Sequence, residues 1–197
     1  PVPNQQVFGV ELTTTLNRLV ASVLEAGSVL AGAPGSEGTA TLVFTDIVDS
    51  TILAQSVGDV AWAEIIGSHE RTIERIAELH GGTVVKFLGD GSMLVFESVR
   101  AAIRAAVELQ RSCDGEPYAI RIGIHTGEVI RTANDLLGLT VNKAARVASA
   151  ATGGGILVSS TTRDLVGQME GVRIGEPRIV RLKGISDVHE VAPVEWE

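Results

Sequence analysis

Two aspartates stand where hard cations can be held. Asp46 ends the apolar run Phe44-Thr45-Asp46-Ile47, and Ser50 and Thr51 follow it as a helix opening. A carboxylate just past a buried strand is a metal ligand, and helix N-terminal amides beside it attract phosphate. Asp46 or Asp49 serves equally well as the cap of that helix. Asp90 lies in Lys86-Phe87-Leu88-Gly89-Asp90-Gly91, where Asp-Gly is also a common hairpin turn. Further on, Asn142 and Arg146 in Val141-Asn142-Lys143-Ala144-Ala145-Arg146 are four apart, so they share a helix face and can reach one ligand. A solvated polar face is the alternative there, although an arginine fork matches a phosphoryl group with several donors at once.

The elements that would position these residues follow from hydrophobic periodicity. From Thr41 the pattern predicts a strand to Ile47, a helix from about Asp59 to His80, and a strand from Thr83 to Leu88. A Gly-Asp-Gly turn, a strand from Ser92 to Phe96, a helix from Ser98 to Cys113 and a strand from Ala119 to His125 come next. That order is βαββαβ, the ferredoxin-like α+β arrangement, with an antiparallel sheet carrying helices on one face. In such a fold the ends of the first strand and of the central hairpin are neighbours, so Asp46 and Asp90 can share metal ions. A strand from Glu128 to Thr132, a helix from Val141 to Ala150, a strand from Ile156 to Ser159 and terminal strands at Ile179 to Leu182 and His189 to Val191 are also expected. The helix-free face would need covering, and a second protomer is the simplest cover.

Upstream, Phe8, Leu12, Leu16, Leu19, Val20 and Val23 recur at helical spacing, which predicts an amphipathic helix within residues 1–33. Residues 34–38 read as a Gly- and Pro-containing linker, and residues 39–197 as the domain proper. The helix either packs on its own domain or pairs with a twin to pass signals from an upstream regulatory module.

Composition narrows the partners. A net charge of -8 and a pI near 5.0 argue against a nucleic-acid surface, because that affinity comes from Lys and Arg meeting phosphates. A phosphate ligand therefore needs metal ions or a local basic cluster. No stretch approaches a membrane span, and no leader opens the chain, so a cytoplasmic location is expected, as the cytosolic part of a larger protein or alone. The single cysteine, Cys113, fits a reduced compartment.

Four motifs stand in order: Phe-Thr-Asp-Ile at 44–47, Lys-x-x-Gly-Asp-Gly at 86–91, Arg-Ile-Gly-Ile-His-Thr-Gly at 121–127, and Asp-x-x-Gly-x-x-Val-Asn-x-Ala-Ala-Arg at 135–146. Over roughly Thr39 to Val194 the chain resembles the class III nucleotidyl cyclases, ferredoxin-like domains that work as head-to-tail dimers. The resemblance implies an adenylate cyclase converting ATP to 3′,5′-cyclic AMP and pyrophosphate in a homodimer with shared active sites. It implies that Asp46, Asp90 and the Ile47 carbonyl hold two Mg²⁺ or Mn²⁺ ions per site, and that Lys86 and Asp135 select adenine. Adenine offers an acceptor at N1 and a donor at N6, which a Lys donor and an Asp acceptor complement, while guanine opposes both. It further implies that Asn142 orients the ribose, Arg146 stabilises the transferring phosphoryl group, and Arg121 and Lys183 hold the terminal phosphates.

Other readings have discriminating residues. A diguanylate cyclase would carry a Gly-Gly-Asp/Glu-Glu-Phe turn in place of Leu88-Gly89-Asp90-Gly91-Ser92. A silent nucleotide-sensing module would be expected to have lost Asp46, Asp90, Asn142 or Arg146, and a guanylyl cyclase is disfavoured by Lys86 and Asp135. His125 reads as a packing residue at a strand end, His69 and His80 have no zinc-ligand spacing, and Gly153-Gly154-Gly155 is expected to end the Asn142 helix.

Overall fold

A computed structural model describes residues 37–185 and 188–196. The expected upstream helix and most of the expected linker lie outside the described residues.

Strand β1 (Glu37–Ile47) runs into two helices, α1 (Ser50–Val57) and α2 (Asp59–Leu79). Gly58 separates them with φ 82°, a left-handed backbone that a side chain disfavours. The hairpin β2 (Thr83–Phe87) and β3 (Gly91–Phe96) follows, then α3 (Val99–Ser112) and β4 (Ile120–Arg131). Ser98 caps α3 by accepting from the Ala101 amide. These elements form the βαββαβ core, with sheet order β2-β3-β1-β4.

The chain continues through β5 (Leu136–Leu137), α4 (Leu139–Ser149), β6 (Ile156–Ser159), α5 (Ser160–Val166), β7 (Val172–Ile174), β8 (Arg178–Arg181) and β9 (Val188–Trp196). They extend the sheet to β2-β3-β1-β4-β6-β9-β7, with β4 and β6 parallel. Helix α5 and strands β5 and β7 are additions to the sequence-based expectation.

Four expectations change. β4 is one strand of 12 residues through Thr126-Gly127, not two, because it pairs with β1 from Ile47↔Ile120 to Glu37↔Ile130. That same pairing draws Glu37 and Gly38 into β1. The glycines 153–155 do not end the Asn142 helix. It stops at Ser149 with Ala150 as its cap, and the glycines turn the chain into β6, with the Gly154 amide donating to the Ile120 carbonyl at 2.9 Å.

The fourth change concerns the sheet's second face. One face packs Val43, Ile47, Leu94, Phe96, Ile120, Ile122 and Ile124 against α2 and α3. The opposite face, expected to be free of helices, packs Leu42, Phe44, Met93 and Val95 against Ala144 and Ala148 of α4. The alternation of side chains along each strand explains both sets. Gly123 makes the seating of α4 possible, since a Cβ there would lie 2.0 Å from the Ala148 nitrogen. This face therefore needs less cover from a partner than an open sheet would.

Candidate active site

Strand register puts the expected metal carboxylate on the α4 face. Asp46 follows Leu42 and Phe44 in alternation, and its pairing partner across β1 and β4 is Arg121. On the other side its partner is Gly91, the residue after Asp90. A Cβ at Gly91 would come within 2.7 Å of the Thr45 carbonyl, so only glycine lets the hairpin approach β1 this closely. The Ile47 amide donates to the Asp90 carbonyl at 3.3 Å, and the Leu88 amide to the Gly91 carbonyl at 2.8 Å. The turn is thus tied both to itself and to the residue after Asp46.

Two carboxylates from adjacent strand ends, beside the Ile47 main chain, form a set of hard oxygen donors. Among the described residues no cluster of three or more His, Cys, Asp or Glu is built for a metal. Carboxylate and carbonyl oxygens suit Mg²⁺ or Mn²⁺, which share substrate oxygens and keep few protein ligands. Asp46 already has a cationic neighbour, because the Arg121 Nη2 donates to its Oδ2.

Lys86 and Asp135 form a second group. The Lys86 Nζ donates to the Asp135 Oδ2 at 2.6 Å, with the side chains 39% and 32% exposed. An ion pair this exposed contributes only about 0–1 kcal/mol to stability. Its value lies in presenting one donor and one acceptor side by side. Asp135 is fixed by Thr132, whose amide and hydroxyl both donate to the Asp135 carbonyl while its hydroxyl oxygen accepts from the Asp135 amide at 2.9 Å. The Leu136 amide donates to the Asp135 Oδ1 at 2.8 Å. Thr132 was not singled out by sequence, and a Thr three residues before the Asp was the available signal.

Asn142, Arg146 and Lys183 form the third group. They line one cleft of about 570 Å³ together with Leu139, Lys143, Gly184 and Ile185. Asn142 and Arg146 project from α4 at helical spacing, and Lys183 comes from the turn after β8. Helix α4 is pinned at its start by the Thr140 hydroxyl, which donates to the Glu128 carbonyl at 2.5 Å, and at its end by contact with Gly123.

Lys86 stands apart from Asp46 on one protomer. Lys86 pairs with Met93 on β3, whose neighbour on β1 is Phe44. Lys86 is then two strand spacings, about 10 Å, across the sheet from Asp46 and two residues, about 7 Å, along it. The two do not share a small ligand atom.

His125, further along β4, is buried, and its Nδ1 lies 2.7 Å from the Ser159 Oγ. Burial, followed by the positive fields of Lys143 and His189, lowers its pKa to about 4. It is a neutral packing residue, although it stands within β4 and not at the strand end expected for it. Burial likewise lowers the pKa of His69.

A model of the adenylate and guanylate cyclase catalytic domain matches residues 33–191. The chain belongs to this family. An uncharacterised protein of Mycobacterium tuberculosis is 35% identical over 131 residues, covering 66% of this chain and 45% of its own length. A receptor-type adenylate cyclase of Trypanosoma congolense is 29% identical over 202 residues, covering 77% of this chain and 27% of that protein. The chain thus spans less than half the length of these curated relatives. The crystal structure of the guanylyl cyclase Cya2 superposes with a TM-score of 0.75 at 26% identity, covering 82% of this chain and 93% of that one. The adenylyl cyclase CyaB of P. aeruginosa shares the fold at a TM-score of 0.75 and 24% identity, over 82% and 96%. The unit from β1 to β9 is therefore a class III nucleotidyl cyclase catalytic domain, and the expected α+β core is the fold of that family. Among its described residues no helix is long and apolar enough to cross a membrane.

Proposed function

We propose that this cyclase domain converts ATP to 3′,5′-cyclic AMP and pyrophosphate, at sites shared between two copies of the chain. Cyclases of either base preference share this fold, so the choice of base rests on the residues that would meet it. The observation that carries the reading is the Lys86–Asp135 pair, held at 2.6 Å on an exposed edge. Lys86 donates to adenine N1 and Asp135 accepts from N6, whereas guanine N1–H and O6 leave both groups mismatched.

The remaining roles follow from the chemistry of each group. Asp46 and Asp90, with the Ile47 carbonyl, hold two divalent ions. When bound, these ions neutralise the triphosphate and lower the pKa of the ribose 3′-hydroxyl. Arg121, next to that pair, and Lys183 in the cleft hold the terminal phosphates. Asn142 orients the ribose so that its 3′-oxygen faces the α-phosphorus in line with the departing pyrophosphate. Arg146 donates to the α-phosphoryl oxygens as charge builds on them, the kind of positioned donor worth about 10²–10³ in rate.

Sharing between copies is supported by the separation of Lys86 from Asp46 on one protomer and by uncovered apolar side chains beside the cleft. Leu139 is 86% exposed, and the cross-strand neighbours Ile130 and Leu137 are 41% and 50% exposed. A partner that covers them and brings its own Asp46 and Asp90 to the Asn142–Arg146 cleft completes a site.

Purified protein incubated with ATP or GTP and Mn²⁺, with products separated by chromatography, tests the reading. Cyclic AMP from ATP in clear excess over cyclic GTP from GTP supports it. Preference for GTP overturns the base assignment, and no cyclic product from a confirmed dimer overturns the enzyme.

A further inference from the structure

We infer that Arg121 and divalent metal ions compete for the Asp46 carboxylate, so that nucleotide strengthens metal binding by drawing the guanidinium away. This rests on the proposed role of Asp46 as a metal ligand and adds to it a device that couples the two ligands.

The competition follows from strand register. Asp46 and Arg121 are direct partners across β1 and β4 and point to the same face. The Arg121 Nη2 donates to the Asp46 Oδ2, one of the two oxygens a metal would use. The contact uses one guanidinium nitrogen, while the Arg121 Nε is buried without a hydrogen-bond partner among the described residues. A bidentate fork would satisfy both nitrogens and hold firmly, whereas a single attachment leaves a buried donor unmet. An arriving phosphate oxygen answers that need, since it accepts from the guanidinium and carries the charge the arginine otherwise finds on Asp46.

Side-chain exposures of 36% for Asp46 and 30% for Arg121 place the pair at the edge of solvent, where an ion pair is weak enough to exchange. Until it exchanges, a dication approaching Asp46 meets a carboxylate whose charge is already opposed. Coupling of this kind is reciprocal: whatever nucleotide does for metal affinity, metal does for nucleotide affinity. The consequence is a domain that takes up metal ions together with the triphosphate in preference to taking them up alone.

The test measures Mn²⁺ binding to the full chain without nucleotide, by electron paramagnetic resonance of the free ion. Arg121→Gln is expected to bind Mn²⁺ about two- to fivefold more tightly than wild type, the range that removal of one partly exposed opposing charge produces. Arg121→Lys, which keeps a cation there, is expected to stay near wild type. Unchanged or weaker Mn²⁺ affinity in Arg121→Gln overturns the inference, since an arginine that only holds phosphate would leave it unchanged and one that only orients Asp46 would weaken it. Asp46→Ala separates this from the parent reading. If that variant binds Mn²⁺ as wild type does, the metal assignment fails; if it loses binding while Arg121→Gln gains none, only the competition fails. Circular dichroism confirms each variant's fold, and Arg121→Met replaces the Gln variant if it folds poorly.

Discussion

The two halves of the proposed site are built in opposite ways. Asp46 and Arg121 stand on the central strands and Asp90 in the turn before β3. Strand β1 is paired along its length with β4 and from Thr41 to Asp46 with β3, so the backbone register sets where Asp46 and Arg121 point. Asn142, Arg146 and Lys183 stand on a helix and a turn at the rim of an open cleft, and the two α4 residues are exposed. Two pins hold that helix, Thr140 on the Glu128 carbonyl and the close contact of Gly123 with Ala148. A site divided this way keeps its charge-bearing half rigid and leaves the half that aligns substrate dependent on how a helix is seated and on what covers it.

The largest effect expected is on the rigid half. Asp46→Ala should lower cyclase activity by at least about 10³-fold, because an ion loses its ligand and Arg121 its partner. Its midpoint in urea should move little, as an exposed ion pair contributes under about 1 kcal/mol. A large loss of stability together with activity would show that Asp46 is structural. Next, Arg146→Ala should cost about 10²–10³ in kcat. Mixing it with Asp46→Ala should restore activity, since one interface then holds an intact Asp46 facing an intact Arg146. Failure of the mixture to recover any activity would place both halves within one protomer.

Gly123→Ala tests the seating of α4. The added methyl meets helix backbone, so stability should fall by about 1–3 kcal/mol. Activity should drop further than Mn²⁺ affinity does, because Asn142 and Arg146 move with the helix while Asp46 does not. Equal losses in both would mean that the two halves are one rigid body. The smallest effect at neutral pH concerns His125, buried on β4 against Ser159. Its folded pKa of about 4 lies below the unfolded value near 6.5. Its contribution to stability is therefore present above pH 6.5 and lost as pH falls toward 4, on the order of 3 kcal/mol at the limit. Urea midpoints of wild type and His125→Asn, compared from pH 7 to pH 4, should show a shallower decline in the variant.

Much of the core was legible because its strands alternate and its helices repeat, and the four motifs singled out the residues of all three groups except Lys183. What was not legible depends on partners distant in sequence. The pairing of Asp46 with Arg121 joins positions 75 apart and exists only through the β1–β4 register. The continuity of β4 past Gly127 comes from the same pairing, against a glycine that by itself reads as a break. Helix α5 has seven residues, too few for a periodic signal, and its cap Ser159 is also the last residue of β6. That α4 would cross to the second face depended on Gly123 having no side chain, a packing fact that no local pattern carries.

The long pairing of β1 with β4 also sets which changes in chain length the domain can absorb. Removing one residue within β1 would turn every later side chain of the strand over, sending Asp46 into the α2–α3 core and Ile47 to the α4 face. The turn between β8 and β9 carries no such penalty, because a residue added there alters only the rim. Insertions and deletions should therefore be excluded from Glu37 to Ile47 and accumulate around Gly184, and a library of single-residue deletions selected for folding would draw that boundary.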